Sequence, residues 1–396
     1  MRICVIGLGH VGLPTALLFA QAGITVLGCD TDAARLAALA AGRVPIREPG
    51  LDPLLHAALD AGRLLLSATP GPADAHLVAV PTPITPARQP DLTLVAAAID
   101  ALAPALAPGA LVVLESTCPV GTTEAMAARL RALRPDLAGG IDLAYCPERV
   151  LPGAALAEIV ANDRVVGGLT PAAGVRAAAL YARVVRGACH VTDARAAEFV
   201  KLLENAFRDV NIAFANEAAG LARHLGVDAR AAIALANRHP RVAILNPGPG
   251  VGGHCIPVDP WFLAAASPDA TPLIQAARAV NDARPGAVLA EILAAAPPGA
   301  PIAVLGLAYK PGVGDLRESP ALAIARGLAE RAYPLLVAEP YLAALPDGLP
   351  GAVLCGAEAA VAGAGVVAVL VAHTGFRGIG PALAGKRVID AVGLFG

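Results

Sequence analysis

Two separate stretches of this chain alternate short aliphatic runs with alanine- and leucine-rich segments of helical length. That alternation restricts the fold more than any other feature. In the first stretch the runs lie at 2–6, 25–29, 77–80, 111–115 and 142–146. Short runs that are apolar throughout suit strands buried on both faces, and helical segments between them supply the crossovers of a parallel sheet. From about 193 to 282 the pattern is helical. Apolar residues recur at three- and four-residue spacing from Ala194, without a proline, until Gly226 stops the run, so one long helix is predicted over Ala194–Leu225. After the Pro/Gly-rich linker 296–301, strand and helix alternate again, with runs at 302–305, 335–338 and 366–371 and a helix from Pro320. The expected class is α/β, with two doubly wound parallel-sheet domains, 1–190 and 298–396, joined by a central helical domain, 191–297.

A chain of 396 residues, 56% hydrophobic, exceeds the roughly 250 to 300 residues at which single cores stop growing. Only 3% of it is aromatic, as befits alanine-rich helices between aliphatic strands. The longest aliphatic stretch, 363–372, falls short of the roughly 20 residues of a membrane-spanning helix. The N-terminus opens a strand rather than a signal peptide, so a cytoplasmic protein is expected. A net charge of −2 without a basic tract supplies no footprint for nucleic acid or anionic lipid. Seven cysteines are scattered without CxxC pairs or zinc-ligand spacing, so neither disulfides nor a metal site is expected.

Gly7, Gly9 and Gly12 form GxGxxG directly after the run 2–6 and before the helical stretch 14–22. Glycine there permits a tight turn, close approach of backbone to a pyrophosphate, and close strand–helix packing, the signature of a Rossmann-like domain. Asp30 follows the next strand at the expected offset; its carboxylate can accept from a ribose diol and would repel a 2′-phosphate, which favours NAD over NADP. Arg35, one turn further on, can lie over the adenosine side, although an exposed helix arginine would look the same. Thr82, in Pro81-Thr82-Pro83, and Thr117, in Glu115-Ser116-Thr117, end strands of the same sheet at its ligand-binding edge. Either alone would read as a turn or cap residue.

The segment 246–260, Asn-Pro-Gly-Pro-Gly-Val-Gly-Gly-His-Cys-Ile-Pro-Val-Asp-Pro, sets Cys255 in a glycine-dense loop whose amides can crowd around a substrate or an oxyanion. A thiol attacks only as thiolate, so Cys255 needs a cation or amide dipoles, which Lys201 and the loop can supply. The other reading of a cysteine is a buried small hydrophobe, and it is applied to Cys4, Cys29, Cys189 and Cys355. Lys201, Asn205 and Arg208 fall at i, i+4 and i+7 on the long helix, one polar stripe among apolar neighbours. Asp209, Asn211, Asn216 and Glu217 continue the polarity, and asparagine inside a helix wants a partner; a buried, ligand-facing helix is expected rather than a solvated face.

With these residues in hand, the chain resembles the nucleotide-sugar 6-dehydrogenases, the UDP-glucose/GDP-mannose dehydrogenase family, over essentially its whole length. The resemblance is carried by Gly7-Leu-Gly-His-Val-Gly12, the segment 146–153 (Cys-Pro-Glu-Arg-Val-Leu-Pro-Gly), Lys201-Leu-Leu-Glu-Asn205, Gly252-Gly-His-Cys-Ile-Pro-Val-Asp259, and Tyr309-Lys310 followed by the segment 315–320, in that order. Segments 204–217 and 237–242 are most similar to the UDP-N-acetyl-D-mannosamine dehydrogenase branch. The resemblance implies a four-electron oxidation of C6 with NAD, in which Cys255 captures the aldehyde as a thiohemiacetal that becomes a thioester, and water releases the acid. It implies Lys201 and Asn205 as oxyanion and proton partners, and Glu148 and Asp259 as residues that order or activate water. Arg149, Val150, Lys201, Asn205, Arg208, His239, Arg241, Gly252, Tyr309 and Lys310 match its UDP-sugar positions. Gly7, Gly9, Val11, Gly12, Asp30, Arg35, Thr82, Thr117 and Arg317 match its NAD positions. His10, and Gly312-Val-Gly314 before Asp315, depart from the family pattern, as do Ala243 and Asn246 in the substrate loop.

A homodimer through the central helices is expected. The same reaction on UDP-N-acetylglucosamine or UDP-glucose is the nearest alternative. A silent NAD-sensing protein would be expected to lack Cys255, Lys201 or Asn205, and a two-electron reductase would leave the Cys255 loop without a purpose.

Overall fold

The computed structural model describes residues 1–46, 48–137, 139–150 and 153–395; Leu151 and Pro152 of the 146–153 motif lie outside them. By its contacts the chain divides into two compact units, Met1–Leu203 and Glu204–Gly396, and the division falls inside the long helix. The helical segment from Glu204 onward groups with the second sheet.

The first unit holds an eight-stranded sheet of β1 (Arg2–Ile6), β2 (Thr25–Cys29), β3 (Leu64–Ser67), β4 (Ala75–Val78), β5 (Leu111–Leu114), β6 (Asp142–Tyr145), β7 (Arg164–Gly168) and β8 (Cys189–Asp193). Its order is β3-β2-β1-β4-β5-β6-β7-β8. Every neighbouring pair is parallel except β6 and β7, which run antiparallel. Side chains alternate between two cores: Ile3, Val5, Val26 and Leu77 pack into one face and Cys4, Ile6, Leu27 and Val78 into the other. Burying each such aliphatic side chain contributes about 1.5–3 kcal/mol, which is why runs without polar alternation become central strands.

The second unit repeats the plan with β9 (Ile302–Leu305), β10 (Leu335–Ala338), β11 (Val353–Leu354), β12 (Val366–Val369) and β13 (Arg387–Asp390). All its pairs are parallel, in the order β11-β10-β9-β12-β13. Ile302 and Val304 face one core, Ala303 and Leu305 the other. The predicted two doubly wound sheets are both present.

The long helix runs Ala194–Leu225, as its periodicity predicts. Asp193 caps it, its Oδ1 accepting the Ala196 N–H at 2.8 Å. It ends where Gly226 turns left-handed (φ +68°) and the Val227 N–H returns to the Ala222 carbonyl. The short helices Ala229–Ala236 and Asp259–Ala266 and the helix Pro272–Ala295 follow it ahead of β9. Among the described residues no helix is long and apolar enough to cross a membrane.

Candidate active site

The turn after β1 is shaped by its glycines. Gly7 sits at φ +92°, and a Cβ there would stand 2.5 Å from the Ala79 carbonyl oxygen; one on Gly12 would stand 1.9 Å from that of Gly7. Gly9 has nothing within 4 Å of the place its Cβ would take, which leaves open space where a pyrophosphate can approach the backbone. Val11 starts the helix Gly12–Gln21. Asp30 lies just past β2 and accepts the Leu8 N–H (2.8 Å), the Asp32 N–H (2.9 Å) and the Arg35 guanidinium (2.7 Å). Burial opposes ionisation, yet the two amides and Arg35 hold the Asp30 carboxyl below the usual carboxylate range. Arg35 is therefore tied to Asp30 and not simply an exposed helix arginine.

Thr82 and Thr117 are half-buried on neighbouring strand ends. The segments that carry them are pinned together by Ser116, whose Oγ accepts the Val80 N–H at 2.9 Å and donates to the Val80 carbonyl at 2.7 Å. One strand further along, Glu148 is buried; its Oε1 accepts the Arg149 N–H at 2.6 Å and its Oε2 pairs with Arg164 at 3.0 Å. Arg149 donates to the Asp163 carbonyl at 3.1 Å, and Val150 lies beside it, half-buried.

Arg164, itself buried, sits 5.4 Å from the Tyr181 ring centroid. Tyr181 donates to Glu115 Oε1 at 2.7 Å, while Glu115 Oε2 is buried without a hydrogen-bond partner. Burial pushes the Glu115 carboxyl up to about 7, against the attraction of Arg164 and the Tyr181 hydrogen bond.

In the second unit the loop around Cys255 is held from both sides. The Cys255 carbonyl accepts the Val258 N–H (3.0 Å) and the Asp259 N–H (2.8 Å), so the thiol sits on a tight turn opening the helix Asp259–Ala266. Asn205 donates Nδ2–H to Asp259 Oδ2 at 2.5 Å, both side chains buried; one amide hydrogen is thereby used and the second remains for a ligand. Lys201, in the last turn of the same helix to group with the first unit, is also buried. A Cβ on Gly252 would meet Tyr309 Cβ at 2.8 Å, and the Gly253 N–H donates to the Arg317 carbonyl at 3.1 Å. Burial, with the nearby Asp315 carboxylate, pushes the Tyr309 phenol up to about 12, so it stays protonated at neutral pH. Lys310 Nζ rests 5.8 Å from the Tyr309 ring centroid, and Arg317 Nε pairs with Asp315 Oδ1 at 2.8 Å.

Cys255 is the one exposed thiol of the seven; Cys4, Cys29, Cys118 and Cys146 are buried, and Cys189 and Cys355 are half-buried rather than fully enclosed. Burial pushes Cys146 up to about 12, which removes it as a competing nucleophile at neutral pH.

Three consecutive family models match the chain: the NAD binding domain of the UDP-glucose/GDP-mannose dehydrogenase family at residues 1–185, its central domain at 195–283 and its UDP binding domain at 303–395. The chain belongs to this family. It is 48% identical to an NDP-N-acetyl-D-galactosaminuronic acid dehydrogenase of Ralstonia nicotianae, over 99% of this chain and 96% of the relative. It is 47% identical to a UDP-N-acetyl-D-mannosamine dehydrogenase of Salmonella typhi, over 99% of both. The solved structure of a UDP-D-ManNAc dehydrogenase from Pyrococcus horikoshii superposes with a TM-score of 0.91 at 38% identity, covering 100% of this chain and 96% of that one. The chain is thus an NAD-dependent nucleotide-sugar dehydrogenase.

One sequence expectation changes. Asp209, Asn211 and Asn216, expected on a ligand-facing helix, have protein partners. Asp209 pairs with the buried Arg278 at 2.6 Å and accepts from Asn281 at 2.8 Å. Asn211 accepts the Leu245 N–H and donates to the Ala243 carbonyl, both at 2.9 Å, and Asn216 accepts the Gly248 N–H at 2.9 Å. Asn211 and Asn216 thus fasten the segment leading to Cys255, Asp209 is held to the helix Pro272–Ala295, and Glu217 is exposed. Arg208, His239 and Arg241 are also exposed; the Arg241 N–H donates to His239 Nδ1 at 3.3 Å in the turn after Ala229–Ala236. Arg164, Tyr181 and Glu198, which the sequence pattern does not single out, are also buried. Glu198 accepts the Gly121 N–H at 2.6 Å and the Thr123 N–H at 2.8 Å, anchoring the long helix to the turn after β5. Only the pairing of an unusual Arg at the start of a strand with a Glu elsewhere in the chain could have flagged Arg164.

Proposed function

We propose that this dehydrogenase oxidises the C6 hydroxyl of UDP-N-acetyl-D-mannosamine to the carboxylate of UDP-N-acetyl-D-mannosaminuronate through a covalent bond to Cys255. The observation that carries the reading is an exposed thiol on a glycine-built turn whose Asp259 is gripped by Asn205; Lys201, buried, precedes Asn205 by one helical turn. Bound NAD supplies the hydride acceptor for each of two oxidations.

Lys201 and the remaining Asn205 N–H steady the C6 oxygen as its proton leaves and the alcohol becomes an aldehyde. Cys255 Sγ then adds to the carbonyl carbon to form a thiohemiacetal, and the same donors hold its oxygen. Loss of the second hydride gives the thioester. Water, ordered by Glu148 and Asp259, adds to the thioester carbon; the C–S bond breaks and the thiolate is returned. One water and two hydride acceptors are consumed per sugar, and three protons are released with the acid.

The glycine turn, Asp30, Thr82 and Thr117 hold the dinucleotide, with Arg35 steadying Asp30 and Arg317 reaching a phosphate. Arg149, Val150, Arg208, His239, Arg241, Gly252, Tyr309 and Lys310 contact the nucleotide sugar, and Lys310 or an arginine pairs with its diphosphate. The protein works in the cytoplasm, where free thiols persist.

It also works as a homodimer through the long helix. Phe199, Leu203, Phe207, Phe214, Leu221 and Leu225 form one apolar stripe along it, each between 43% and 67% exposed, more contiguous apolar surface than a single copy leaves in water. Phe207→Glu should halve the mass in sedimentation; a wild-type monomer would end this part of the reading.

A second substrate reading has its own support, since a relative named for N-acetyl-D-galactosaminuronic acid is as similar as one named for the mannosamine sugar. Comparing kcat/KM on UDP-N-acetylmannosamine, UDP-N-acetylgalactosamine, UDP-N-acetylglucosamine and UDP-glucose decides it. At least a tenfold preference for the first is expected; the same preference for any other sugar replaces it as the substrate.

A further inference from the structure

The sheet of the second unit ends in a buried polar relay that the mechanism above does not use. Glu339, directly after β10, accepts the Leu307 N–H (2.8 Å) and the Ala308 N–H (3.1 Å) on Oε2 and the Tyr341 N–H (3.2 Å) on Oε1. His373, four residues past the end of β12 and fully buried, places Nε2 3.1 Å from Glu339 Oε2, and its Nδ1 accepts the Gly312 N–H at 3.1 Å. An imidazole nitrogen that accepts from an amide carries no proton, so the ring proton sits on Nε2 and points at Glu339. Tyr341 and Phe376 pack on the ring, with centroids 5.0 and 5.3 Å away.

Gly312 is the tip of the loop that carries Tyr309 and Lys310. The Tyr309 N–H donates to the Asp315 carbonyl at 3.0 Å, closing the base of the loop, and the tip is tied back to the sheet through His373. Gly312 itself is left-handed (φ +79°), a conformation that aims its amide inward at the imidazole.

We propose that His373 is a positioning residue for nucleotide-sugar binding, holding the Tyr309–Gly312 turn in its binding shape by joining the Gly312 amide to the Glu339 carboxylate. This rests on the reading in which Tyr309 and Lys310 contact the sugar nucleotide. His373 touches neither substrate nor cofactor, so its loss acts on affinity for the sugar nucleotide and leaves the chemistry and the NAD site alone.

Two substitutions separate the halves of the relay. In His373→Asn the Oδ1 stands near the position of Nδ1 and can still accept from Gly312; in His373→Gln the Nε2 can still donate to Glu339 but the acceptor for Gly312 is gone. His373→Gln should raise KM for the UDP-sugar about tenfold, the equivalent of one lost hydrogen bond, with kcat and KM for NAD within about twofold. His373→Asn should recover most of that loss.

Equal KM values for the two variants, or a parallel rise in KM for NAD, would overturn the proposal. Lys310→Ala is run alongside. If it leaves KM for the sugar unchanged, the underlying reading of the loop has failed; if it raises KM while His373→Gln does not, only the role of His373 has failed. Should the Gln variant not fold, amide exchange in the wild-type protein decides: the Gly312 N–H is expected to be protected at least tenfold over its neighbour Val313, and an unprotected Gly312 sinks the proposal.

Discussion

The two sheets of this dehydrogenase have the same opening and diverge at its end. After β1 and after β9 a left-handed glycine, Gly7 or Gly306, is followed by a leucine whose N–H donates to the acid that closes the next strand, Asp30 or Glu339, at 2.8 Å in both. The strand orders β3-β2-β1-β4-β5 and β11-β10-β9-β12-β13 match as well. Beyond that point the first sheet continues with Gly9 and Gly12 and a helix, while the second has the buried Ala308, then Pro311, and a loop that reaches no helix until Pro320. Asp30 keeps one side chain partner on the surface, Arg35; Glu339 is closed off by His373. One backbone plan thus presents a dinucleotide cradle in one place and a fastened loop in the other. The fold supplies the edge, and a few side chains decide what that edge can hold.

The largest effect expected from breaking this comparison is at Glu339. Glu339→Ala strands three amides and His373 in a buried place, and should cost about 3–5 kcal/mol in urea or thermal unfolding. A loss below about 1 kcal/mol would mean that the relay is not holding the second sheet edge.

Two buried acids sharpen the contrast through pH. Burial opposes the charge on Glu339, but His373 and the Leu307 and Ala308 amides hold it below the usual range, so its contribution is present at neutral pH and is lost as pH falls. Glu115 is the reverse. Its folded value of about 7 lies above the ordinary 4.5, so its contribution is full below about pH 4.5 and is lost as pH rises through about 7. Glu115→Gln should therefore stabilise the protein at pH 8 by on the order of 1–3 kcal/mol, with the gain fading below pH 5. A gain that does not depend on pH would contradict this assignment.

Asp30→Ala, the counterpart of Glu339→Ala, should raise KM for NAD about tenfold through the loss of its ribose hydrogen bonds, about 1.4 kcal/mol, and leave KM for the sugar nucleotide unchanged. The smallest effect belongs to Ala308→Gly. Restoring glycine at the position equivalent to Gly9 should cost about 0.5–1 kcal/mol of stability and confer no second NAD site by equilibrium dialysis.

Much of this fold could be read from the sequence, because its strands are apolar on both faces and its long helix is free of breakers. The runs 2–6, 25–29, 302–305 and 335–338 and the helix Ala194–Leu225 match the structure residue for residue. Strands expected to reach 80, 115, 146 and 371 stop one or two residues earlier, since Val80, Glu115 and their neighbours turn away to build the site edge. Strands β3, β7, β8, β11 and β13 are not among the runs that the sequence pattern predicts. Leu64–Ser67 is only four residues long, Arg164–Gly168 opens on a charged residue and ends on two glycines, and Cys189–Asp193 is an edge strand with exposed polar residues.

The same physics limits the reading of the site. Gly7, Gly12, Asp30 and Cys255 announce themselves by local pattern. The Asn205–Asp259 bond spans 54 residues and the His373–Gly312 bond 61, and no local pattern encodes a partner at that distance. Asn211 and Asn216 were legible as asparagines in need of partners; that the partners are the loop backbone and not a ligand was not.

The central claim is the covalent role of Cys255, and the direct measurement is the count of NADH formed per UDP-sugar consumed by the wild-type enzyme and by Cys255→Ala. The account predicts two NADH per sugar in the wild type, and no acid formed by the folded variant. One NADH per sugar in the wild type, or two in the variant, would contradict it.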